Sequence, residues 1–510
     1  MLPWEGDFYP ARGCQMDPGV DAPVLSAYSC IYAGLDWGTE AREPVRTYRT
    51  AEVARAAGIH RDTLLRWLRQ GRVSEPTRNA YGWRQFNEEQ KNRIVETASR
   101  AGLSGARAIR EGKQDYLAGG TSRLRRLDWD FATAKTNYLT HAVHPYPAKF
   151  IPQIPNALIQ ELSAVGETVL DPFCGSGTTL VEALRLGRNA VGVDANPLAC
   201  LISRAKTSSI DALESASLEG LAAECARRGA TKDNGTLPLF PPAIPDSRSY
   251  VPFPDPKEIE RWFPREVIED LAEIKALCME LGSERARLLA RVAFSSIIVG
   301  VSYQDSETRY VRRDKGIKAG ESFRRFSSAL SELSRKAAEF TEEIDPAFRV
   351  SVIEGNVLER PDVGPVELVV CSPPYPNAFS YHLYHRTRMV WLDMDYRTFK
   401  RDEIGSHRKY SARGANGATA ETFEQEMQIV FGWIGEHLRK DHMACFVVGD
   451  STIRGDKVRN DELLVRAAQS RGFQVEARLA RRMQDARKSF NPSIGKIKEE
   501  KILILRSAGI

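Results

Sequence analysis

Two short stretches of the chain combine residue types that could bind a ligand and carry out chemistry. The first, 168–179, reads TVLDPFCGSGTT; its apolar beginning predicts a buried strand, and Asp171 falls where that strand ends. Gly175 and Gly177 then allow a tight turn and a close approach of the backbone to a ligand. The residues from Thr178 onward have helical spacing. Strand, glycine turn and helix together predict the ligand-binding corner of a doubly wound α/β sheet.

The second stretch, 367–375, reads ELVVCSPPY. Its apolar residues predict another buried strand, with Ser372 and Tyr375 beyond its carboxyl end. The two prolines between them cannot donate to a sheet, so they end the strand and stiffen the turn.

Polar residues follow two further predicted strands. Asp194 ends the strand predicted over 190–193 and lies 23 positions after Asp171. A Rossmann-like site holds ribose hydroxyls with a carboxylate at about that spacing. The alternative is a helix N-cap, which Asp194 or Asn196 could supply. Asn356 lies near the end of another predicted strand, over 350–357.

These strings resemble the motifs of S-adenosylmethionine-dependent methyltransferases that act on the amino groups of DNA bases. DPFCGSGTT resembles their cofactor motif and SPPY their catalytic motif, and the resemblance covers roughly residues 128–506. It implies a Rossmann-like methyltransferase sheet, with S-adenosylmethionine as cofactor. The residues that it implies at the cofactor are Asp171, Phe173, Gly175, Ser176, Gly177, Thr178, Asp194 and Asn356. Asn356 departs from the usual Asp, but its amide oxygen can still accept from the adenine amino group.

The chemistry of such enzymes accounts for the residue types of the second stretch. An exocyclic amino group is a poor nucleophile, because its lone pair is delocalised into the base. Acceptors for its hydrogens, here the Ser372 oxygen and the Pro373 carbonyl, favour a pyramidal nitrogen. Tyr375 offers a face on which a base flipped out of the duplex can stack. Methylation at carbon 5 would need a cysteine nucleophile, usually in a Pro-Cys pair, and this sequence contains none.

The resemblance leaves the substrate open. Serine at the first motif position favours cytosine N4 over adenine N6, where Asp or Asn is more frequent. An RNA or protein amide methyltransferase is a further alternative, because Pro-Pro-Tyr motifs also occur in enzymes that methylate the amino groups of guanine and glutamine. A different class is a DNA-binding regulator that keeps the fold without catalysis.

The segment 46–113 is basic, with 15 Lys or Arg against 7 Asp or Glu. Its pattern predicts a helix over 51–57 capped by Thr50, a turn at Gly58 and a second helix over 61–70. This order, and a wing ending in Gly-x-Arg-x-Phe, resembles the DNA-binding unit of MerR-type regulators. The resemblance implies DNA contacts by Arg61, Arg66, Arg69 and Arg84. A charged helical surface or a protein-docking module are the alternatives.

We therefore expect an irregular lead-in (1–45), a MerR-like helix-turn-helix domain (46–113), a linker (114–127) and a methyltransferase domain (128–510). A helical insertion over 205–350 lies where some DNA methyltransferases have their target-recognition region; a helical scaffold is the alternative. The aromatic stretch 377–391 predicts a DNA-binding wall that includes Arg386 and Arg388, unless its rings pack into the core.

The composition limits the remaining possibilities. The net charge of +5 over 510 residues decides nothing about nucleic acid, and the eight cysteines form no Cys-x-x-Cys pair. We expect no metal site, no disulfide framework and a cytoplasmic location. No apolar run is long enough to span a bilayer, and no secretion signal is expected. The expected partners are double-stranded DNA and, in a restriction or defence setting, a further protein.

Overall fold

The protein was analysed as a computed structural model. The described residues are 47–59, 63–64, 67–68, 71–78, 84–100, 121–233, 256–412, 417–483 and 499–509. The chain divides into two compact units, Met1–Arg46 and Thr47–Ile510. The first unit lies outside the described residues, and everything below concerns the second.

The central element is a seven-stranded sheet, and three two-stranded sheets accompany it. The strands are β1 Thr77–Arg78, β2 Arg84–Gln85, β3 Thr168–Asp171, β4 Asn189–Asp194, β5 Gln304–Ser306, β6 Arg309–Arg312, β7 Val350–Glu354, β8 Val366–Cys371, β9 Leu438–Gly449, β10 Ser451–Ile453, β11 Asp456–Val458, β12 Phe473–Arg482 and β13 Glu499–Ser507.

Helices cover both faces of this sheet, form the insertion and contribute to the small N-terminal unit. They are α1 Thr50–Ala56, α2 Glu88–Arg100, α3 Gln153–Leu162, α4 Thr178–Arg185, α5 Pro197–Lys206, α6 Ala212–Asp233, α7 Pro256–Trp262, α8 Arg265–Met279, α9 Glu284–Ile298, α10 Glu321–Glu343, α11 Tyr381–Tyr384, α12 Arg386–Trp391, α13 Tyr396–Asp402, α14 His407–Ser411, α15 Ala420–His437 and α16 Asn460–Gln469. Short 3₁₀ turns occupy Leu139–Ala142 and Val357–Glu359.

The strand order of the large sheet is β12-β13-β9-β8-β3-β4-β7. All neighbouring pairs from β9 to β7 are parallel, and β13 is antiparallel to both β9 and β12. The chain turns from one side of the sheet to the other between β3 and β8. In a parallel sheet, ligands bind outside the carboxyl ends of the strands at such a switch point. The fold is therefore the Rossmann-like methyltransferase sheet that the sequence predicted.

The two faces of the sheet have separate cores. Val169 packs into a cluster with Leu158 of α3, whereas the next residue, Leu170, packs into a cluster with Phe431 of α15. Successive residues of a strand point to opposite faces, so the apolar run in β3 buries both. This explains why the strand is continuously hydrophobic rather than alternating.

The predicted central strands are confirmed, with ends shifted by one or two residues except at two strands: β7 ends at Glu354, three residues before the predicted end at 357, and β9 begins early. The sequence predicts a strand over 443–448, and β9 begins five residues earlier, at Leu438. Those extra residues, RKD and their neighbours, are largely exposed and polar, so hydrophobicity gives no sign of them.

The insertion consists of helices α6 to α10, as predicted, but it also contains the β5–β6 hairpin, which the pattern did not indicate. Its core is continuous with α5 and α12 and includes Leu198, Phe294, Phe323 and Trp391. The insertion is thus built onto the helix that follows the SPPY turn. The predicted proline-rich loop, 237–256, lies almost wholly outside the described residues.

The N-terminal helix-turn-helix unit has a small core of its own, which includes Val53, Trp67 and Phe86. Strands β1 and β2 pair to form the wing. Helix α1 begins at Thr50, so the expected cap is wrong by one residue: Arg49 is the N-cap, and its backbone N–H donates to the Glu52 carboxylate at 2.7 Å. Arg61, Arg66 and Arg69 lie outside the described residues.

In the described part of the chain, no helix is long and apolar enough to cross a membrane. The same residues contain no group of three or more His, Cys, Asp or Glu side chains that could hold a metal ion.

Close packing between α6 and the start of α10 gives a stability prediction. Gly320 has φ +69°, and a Cβ there would overlap the carbonyl oxygen of Gly229. Gly316 has φ +59° with nothing within 4 Å of a Cβ. We expect Gly316→Ala to cost about 1–2 kcal/mol from backbone strain alone, and Gly320→Ala to cost about 1–3 kcal/mol more from the steric overlap. Urea unfolding of both variants measures the difference, and equal costs would contradict the packing argument.

Candidate active site

The carboxyl ends of three neighbouring strands bring together the residues that the sequence singled out. Asp171 ends β3, Asp194 ends β4 and Ser372 follows β8. Because β8, β3 and β4 are adjacent and parallel, these side chains share one edge of the sheet although 201 positions separate Asp171 from Ser372. The sheet therefore assembles the two motifs into one site.

The glycine loop after β3 is held closely against α5. Gly175 and Gly177 both have positive φ, at +50° and +76°. The Ser203 hydroxyl of α5 donates to the Gly175 carbonyl at 2.8 Å, and a Cβ on Gly177 would lie within 3.1 Å of the Ser203 backbone. Both the backbone conformation and the space at Gly177 thus require glycine.

Asp194 fastens this loop to the neighbouring strand. Its Oδ2 accepts from the Gly175 N–H and its Oδ1 from the Asn196 N–H, each at 2.8 Å. Burial raises the pKa of Asp194 to about 6, against the lowering effect of these two hydrogen bonds. The helix N-cap that was the alternative role belongs to Asn196, whose Oδ1 accepts from Leu198 at 3.0 Å.

Asp171 is a buried carboxyl group at the base of the loop. Its Oδ1 accepts from the Phe173 N–H at 3.1 Å. Burial raises its pKa to about 7, and the nearby Asp194 charge adds to the rise. A buried carboxylate without a full set of partners is suited to a cationic ligand group, which would restore its ionised form.

The rest of the loop is also arranged for a ligand. The Ser176 hydroxyl is buried and has no hydrogen-bond partner among the described residues, so a bound molecule could satisfy it. Thr178 is buried at the first turn of α4, and Phe173 is half-buried. An unpartnered hydroxyl beside a buried carboxyl group fits the amino-acid end of S-adenosylmethionine.

Asn356 follows β7 and caps the short 3₁₀ turn after it. Its Oδ1 accepts from the Leu358 N–H at 3.0 Å. An amide oxygen has two lone pairs, so this bond leaves one acceptor site on the oxygen and both amide hydrogens. This free acceptor site is what the expected contact to an adenine amino group would use.

Three aromatic side chains form a cluster beside the glycine loop. Tyr146 stacks on Tyr381 with ring centroids 5.7 Å apart, and a methyl group on Gly175 would lie 3.6 Å from the Tyr146 ring. The His385 ring lies 5.0 Å from that of Tyr146, and its Nδ1 is 3.3 Å from the Asn196 side-chain amide. Tyr146 lies in the segment 144–150, HPYPAKF, and nothing in the sequence pointed to His385 individually.

The catalytic turn has a defined hydrogen-bond arrangement. The Ser372 hydroxyl donates to the Val447 carbonyl at 3.0 Å, and its oxygen lies 3.5 Å from the Tyr375 hydroxyl, which leaves at least one of its lone pairs available as an acceptor. The Tyr375 hydroxyl lies 3.4 Å from the same carbonyl oxygen and from Glu500 Oε1. Burial and the Glu500 charge hold the pKa of Tyr375 well above its usual range, so this hydroxyl stays neutral.

A buried ion pair supports this turn, and sequence reasoning missed it. The Glu500 Oε2 pairs with Arg481 at 2.5 Å, and Arg481 Nε donates to the Trp129 carbonyl at 3.1 Å. The sequence predicted Arg481 to begin a loop; it lies instead in β12, directly opposite Glu500 in β13. No motif marks a pair that strand register alone brings together.

Two of the arginines expected to contact DNA have other partners. Arg388 is fully buried; it forms two hydrogen bonds with Glu307, at 2.5 and 2.7 Å, and a third with the Ser295 carbonyl. Arg386 pairs with Glu258 at 2.5 Å and lies over the Tyr396 ring. The prediction of a phosphate-binding wall is therefore wrong at Arg388, whose buried guanidinium group holds the insertion to α12; Arg386 has a 31% exposed side chain, and its contact with DNA stays a prediction.

The remaining predicted positions are consistent with structural roles or lie on the surface. Arg84 is in the wing and pairs with Glu75 at 2.7 Å. Cys174 and Cys371 are buried, and burial raises the pKa of each thiol well above its usual range. A thiolate nucleophile at either position is thus disfavoured, in keeping with the expected packing role.

Parts of the chain are similar to known proteins. The family model described as DNA methylase matches residues 79–204, and that of the MerR HTH family regulatory proteins matches residues 48–97. Among solved structures, TrmN from Thermus thermophilus matches 70% of this chain and 49% of its own at 11% identity, with a TM-score of 0.27.

Several type II methyltransferases are similar to parts of the chain. M.MjaII of Methanocaldococcus jannaschii is 40% identical over 92 residues, 17% of each chain. M.MvaI of Kocuria varians is 32% identical over 176 residues, which cover 34% of this chain and 36% of its own. The chain thus matches between about a sixth and a third of the length of these relatives. The DNA methylase match and the methyltransferase sheet support S-adenosylmethionine as the methyl donor, and the MerR match agrees with the helix-turn-helix unit.

Proposed function

We propose that the chain is a DNA methyltransferase that transfers a methyl group from S-adenosylmethionine to the exocyclic N4 of a cytosine flipped out of the duplex. The observation that carries this proposal is the Ser372 hydroxyl, just beyond the carboxyl end of β8, whose hydrogen is directed to the Val447 carbonyl of the neighbouring strand β9. Its oxygen is therefore oriented as an acceptor, next to the strand that ends in Asp171.

Acceptors are what an amino-group nucleophile needs. The Ser372 oxygen and the Pro373 carbonyl would each bind one amino hydrogen, so the nitrogen lone pair is directed away from the ring plane. S-adenosylmethionine supplies an electrophilic methyl group on a sulfonium centre. Holding the amino group in line with that centre accounts for much of the expected rate, and the chain needs no covalent intermediate with the base.

The loop residues divide the binding of the cofactor among them. Asp171 would hold the methionine ammonium, Asp194 the ribose hydroxyls and Asn356 the adenine amino group. Both Asp194 oxygens already accept one backbone N–H, and each retains capacity for a further donor. The glycine loop, Phe173, Ser176 and Thr178 would surround the rest of the molecule.

Tyr375 would stack on the flipped base. Its hydroxyl is fixed between Val447 and Glu500, and its side chain remains half-buried rather than enclosed. A ring fixed at its hydroxyl end is suited to stacking, because little side-chain entropy is lost when the base arrives.

The choice of base rests on the serine. A neutral hydroxyl at the first motif position favours cytosine N4, and adenine N6 is the alternative for the same mechanism. The similarity to type II methyltransferases favours a restriction or defence setting and a cytoplasmic enzyme acting on double-stranded DNA. In this proposal, residues 46–113 form the DNA-binding domain, 114–127 the linker and 128–510 the methyltransferase domain.

Nucleoside mass spectrometry tests this function. The 510-residue chain is incubated with genomic DNA and S-adenosylmethionine labelled in its methyl group. We expect label on cytosine N4, reduced about 100-fold by Ser372→Ala, the range seen when one aligned hydrogen-bonding group is removed. Ser217→Ala, on the exposed face of α6, is the matched control. Label on adenine would overturn the choice of base. No label on DNA while the cofactor still binds would favour RNA, protein or a regulatory role.

The raised pKa of Asp171 predicts how cofactor affinity depends on pH. Ionising this buried carboxyl group costs folding free energy, so its contribution to stability without cofactor falls as pH rises from about 4 to about 7. A cationic ligand requires the ionised form, so cofactor affinity should rise about tenfold from pH 6 to pH 8. Isothermal titration calorimetry measures this slope.

The Asp171→Asn variant should bind more weakly at pH 8 and lose most of the slope above pH 6.5. Asp362→Asn, whose side chain is 93% exposed before β8, should retain both. An unchanged slope in Asp171→Asn would show that another group is responsible for it.

A further inference from the structure

The β5–β6 hairpin of the insertion presents several arginines to solvent. Arg309 and Arg313 have side chains that are 58% and 73% exposed, and Arg312 is exposed between them. Val311, on the same strand, is 56% exposed. We call residues 304–313 the arginine ribbon.

The positive charge of this ribbon is only partly neutralised. Arg309 and Arg313 share a single carboxylate, that of Asp305, at 3.2 and 3.3 Å. Arg312 lies over the Tyr303 ring at 4.2 Å, and its Nε donates to the Arg261 carbonyl. Exposed ion pairs at this distance contribute little stability, so the arginines can exchange these partners for others.

The base of the ribbon is attached to the helices that follow the catalytic turn. Gln304 donates to the Tyr384 carbonyl at 3.0 Å and accepts from the Thr387 hydroxyl at 2.8 Å. Glu307 pairs twice with the fully buried Arg388. The Glu307 side chain is 29% exposed, but its loss would leave the fully buried Arg388 charge uncompensated, so the ribbon is held firmly relative to α11 and α12.

We propose that the arginine ribbon binds the DNA duplex beside the flipped base and sets the position of that duplex relative to the Ser372–Tyr375 turn. A two-stranded ribbon is narrow enough to enter the major groove, where arginine can bind phosphates or guanine edges. This inference rests on the proposed function, and it gives the buried Arg388 a role that is one step removed from DNA: it positions the ribbon.

The ribbon favours DNA over an acidic protein partner for a geometric reason. Its exposed guanidinium groups are on the element that is hydrogen-bonded to α11 and α12, the helices that follow the Ser372–Tyr375 turn. The DNA must reach that turn for methyl transfer to occur. Only one exposed apolar side chain, Val311, accompanies the arginines, so the ribbon lacks the apolar centre of a typical protein interface.

Salt-dependent DNA binding tests the inference without relying on catalysis. The double variant Arg309→Ala/Arg313→Ala is compared with Arg227→Ala/Arg335→Ala, in which two arginines of similar exposure are removed from α6 and α10. Fluorescence anisotropy with a labelled random-sequence duplex is measured from 50 to 300 mM salt. Each lost phosphate contact should reduce the slope of log K against log salt by about 0.9.

We expect the ribbon variant to lose about two units of slope and at least tenfold in affinity at the lowest salt, with cofactor affinity unchanged. Contacts by the helix-turn-helix unit add to the slope in both proteins, so the difference remains visible. A slope and affinity equal to those of the control variant would overturn the ribbon proposal, as would a wild-type chain that binds no duplex.

The two proposals fail separately. If the ribbon variant loses slope while the wild-type chain methylates no DNA, the ribbon contacts DNA and the proposed reaction is wrong. If the wild-type chain methylates DNA and the slope is unchanged, the reaction stands and the ribbon is excluded as a contact.

Discussion

The carboxylate of Asp194 holds the glycine loop to the neighbouring strand, and the geometry of the site depends on this contact. One oxygen binds the Gly175 N–H and the other the Asn196 N–H. The same residue thereby fixes the loop after β3 and the start of α5. A buried carboxylate is costly unless it is hydrogen-bonded, so the loop and the carboxylate stabilise each other.

The second constraint is the order of the strands. The residues of the two motifs are about two hundred positions apart, and the insertion lies between them in the chain. Because β8 pairs directly with β3, the large insertion can be accommodated without separating the motifs. The insertion packs its core against α5 and α12, so it lies next to the site whose two motifs it separates in sequence.

Much of the sheet and of the loop could be predicted from the sequence because the relevant signals are local. Apolar runs mark the strands, and the glycines and prolines mark the turns. The partners of Arg388 and Arg481 could not be predicted, since Glu307 is 81 positions from the first and Glu500 reaches the second only through strand pairing. An arginine in an aromatic stretch has the same local sequence whether it faces solvent or a buried carboxylate.

The β5–β6 hairpin was missed for a related reason. Its strands are three and four residues long and mostly polar, so neither length nor alternation identifies them. The hairpin is specified by contacts from distant helices rather than by its own pattern. The helix-turn-helix unit shows the opposite case, because a compact local pattern predicted its first helix to within one residue and indicated a wing that ends near Phe86, where β2 lies.

The contacts of Asn196 have a thermodynamic consequence. Its backbone N–H donates to Asp194 beneath the glycine loop, and its side chain lies against His385. Arg388, three residues after His385, binds Glu307 at the base of the hairpin. A continuous set of contacts thus joins the two ends of the site. Where such contacts couple two binding sites, the coupling free energy is the same for both ligands. In the proposed reaction, DNA would therefore change the affinity for S-adenosylmethionine by the same factor as S-adenosylmethionine changes the affinity for DNA.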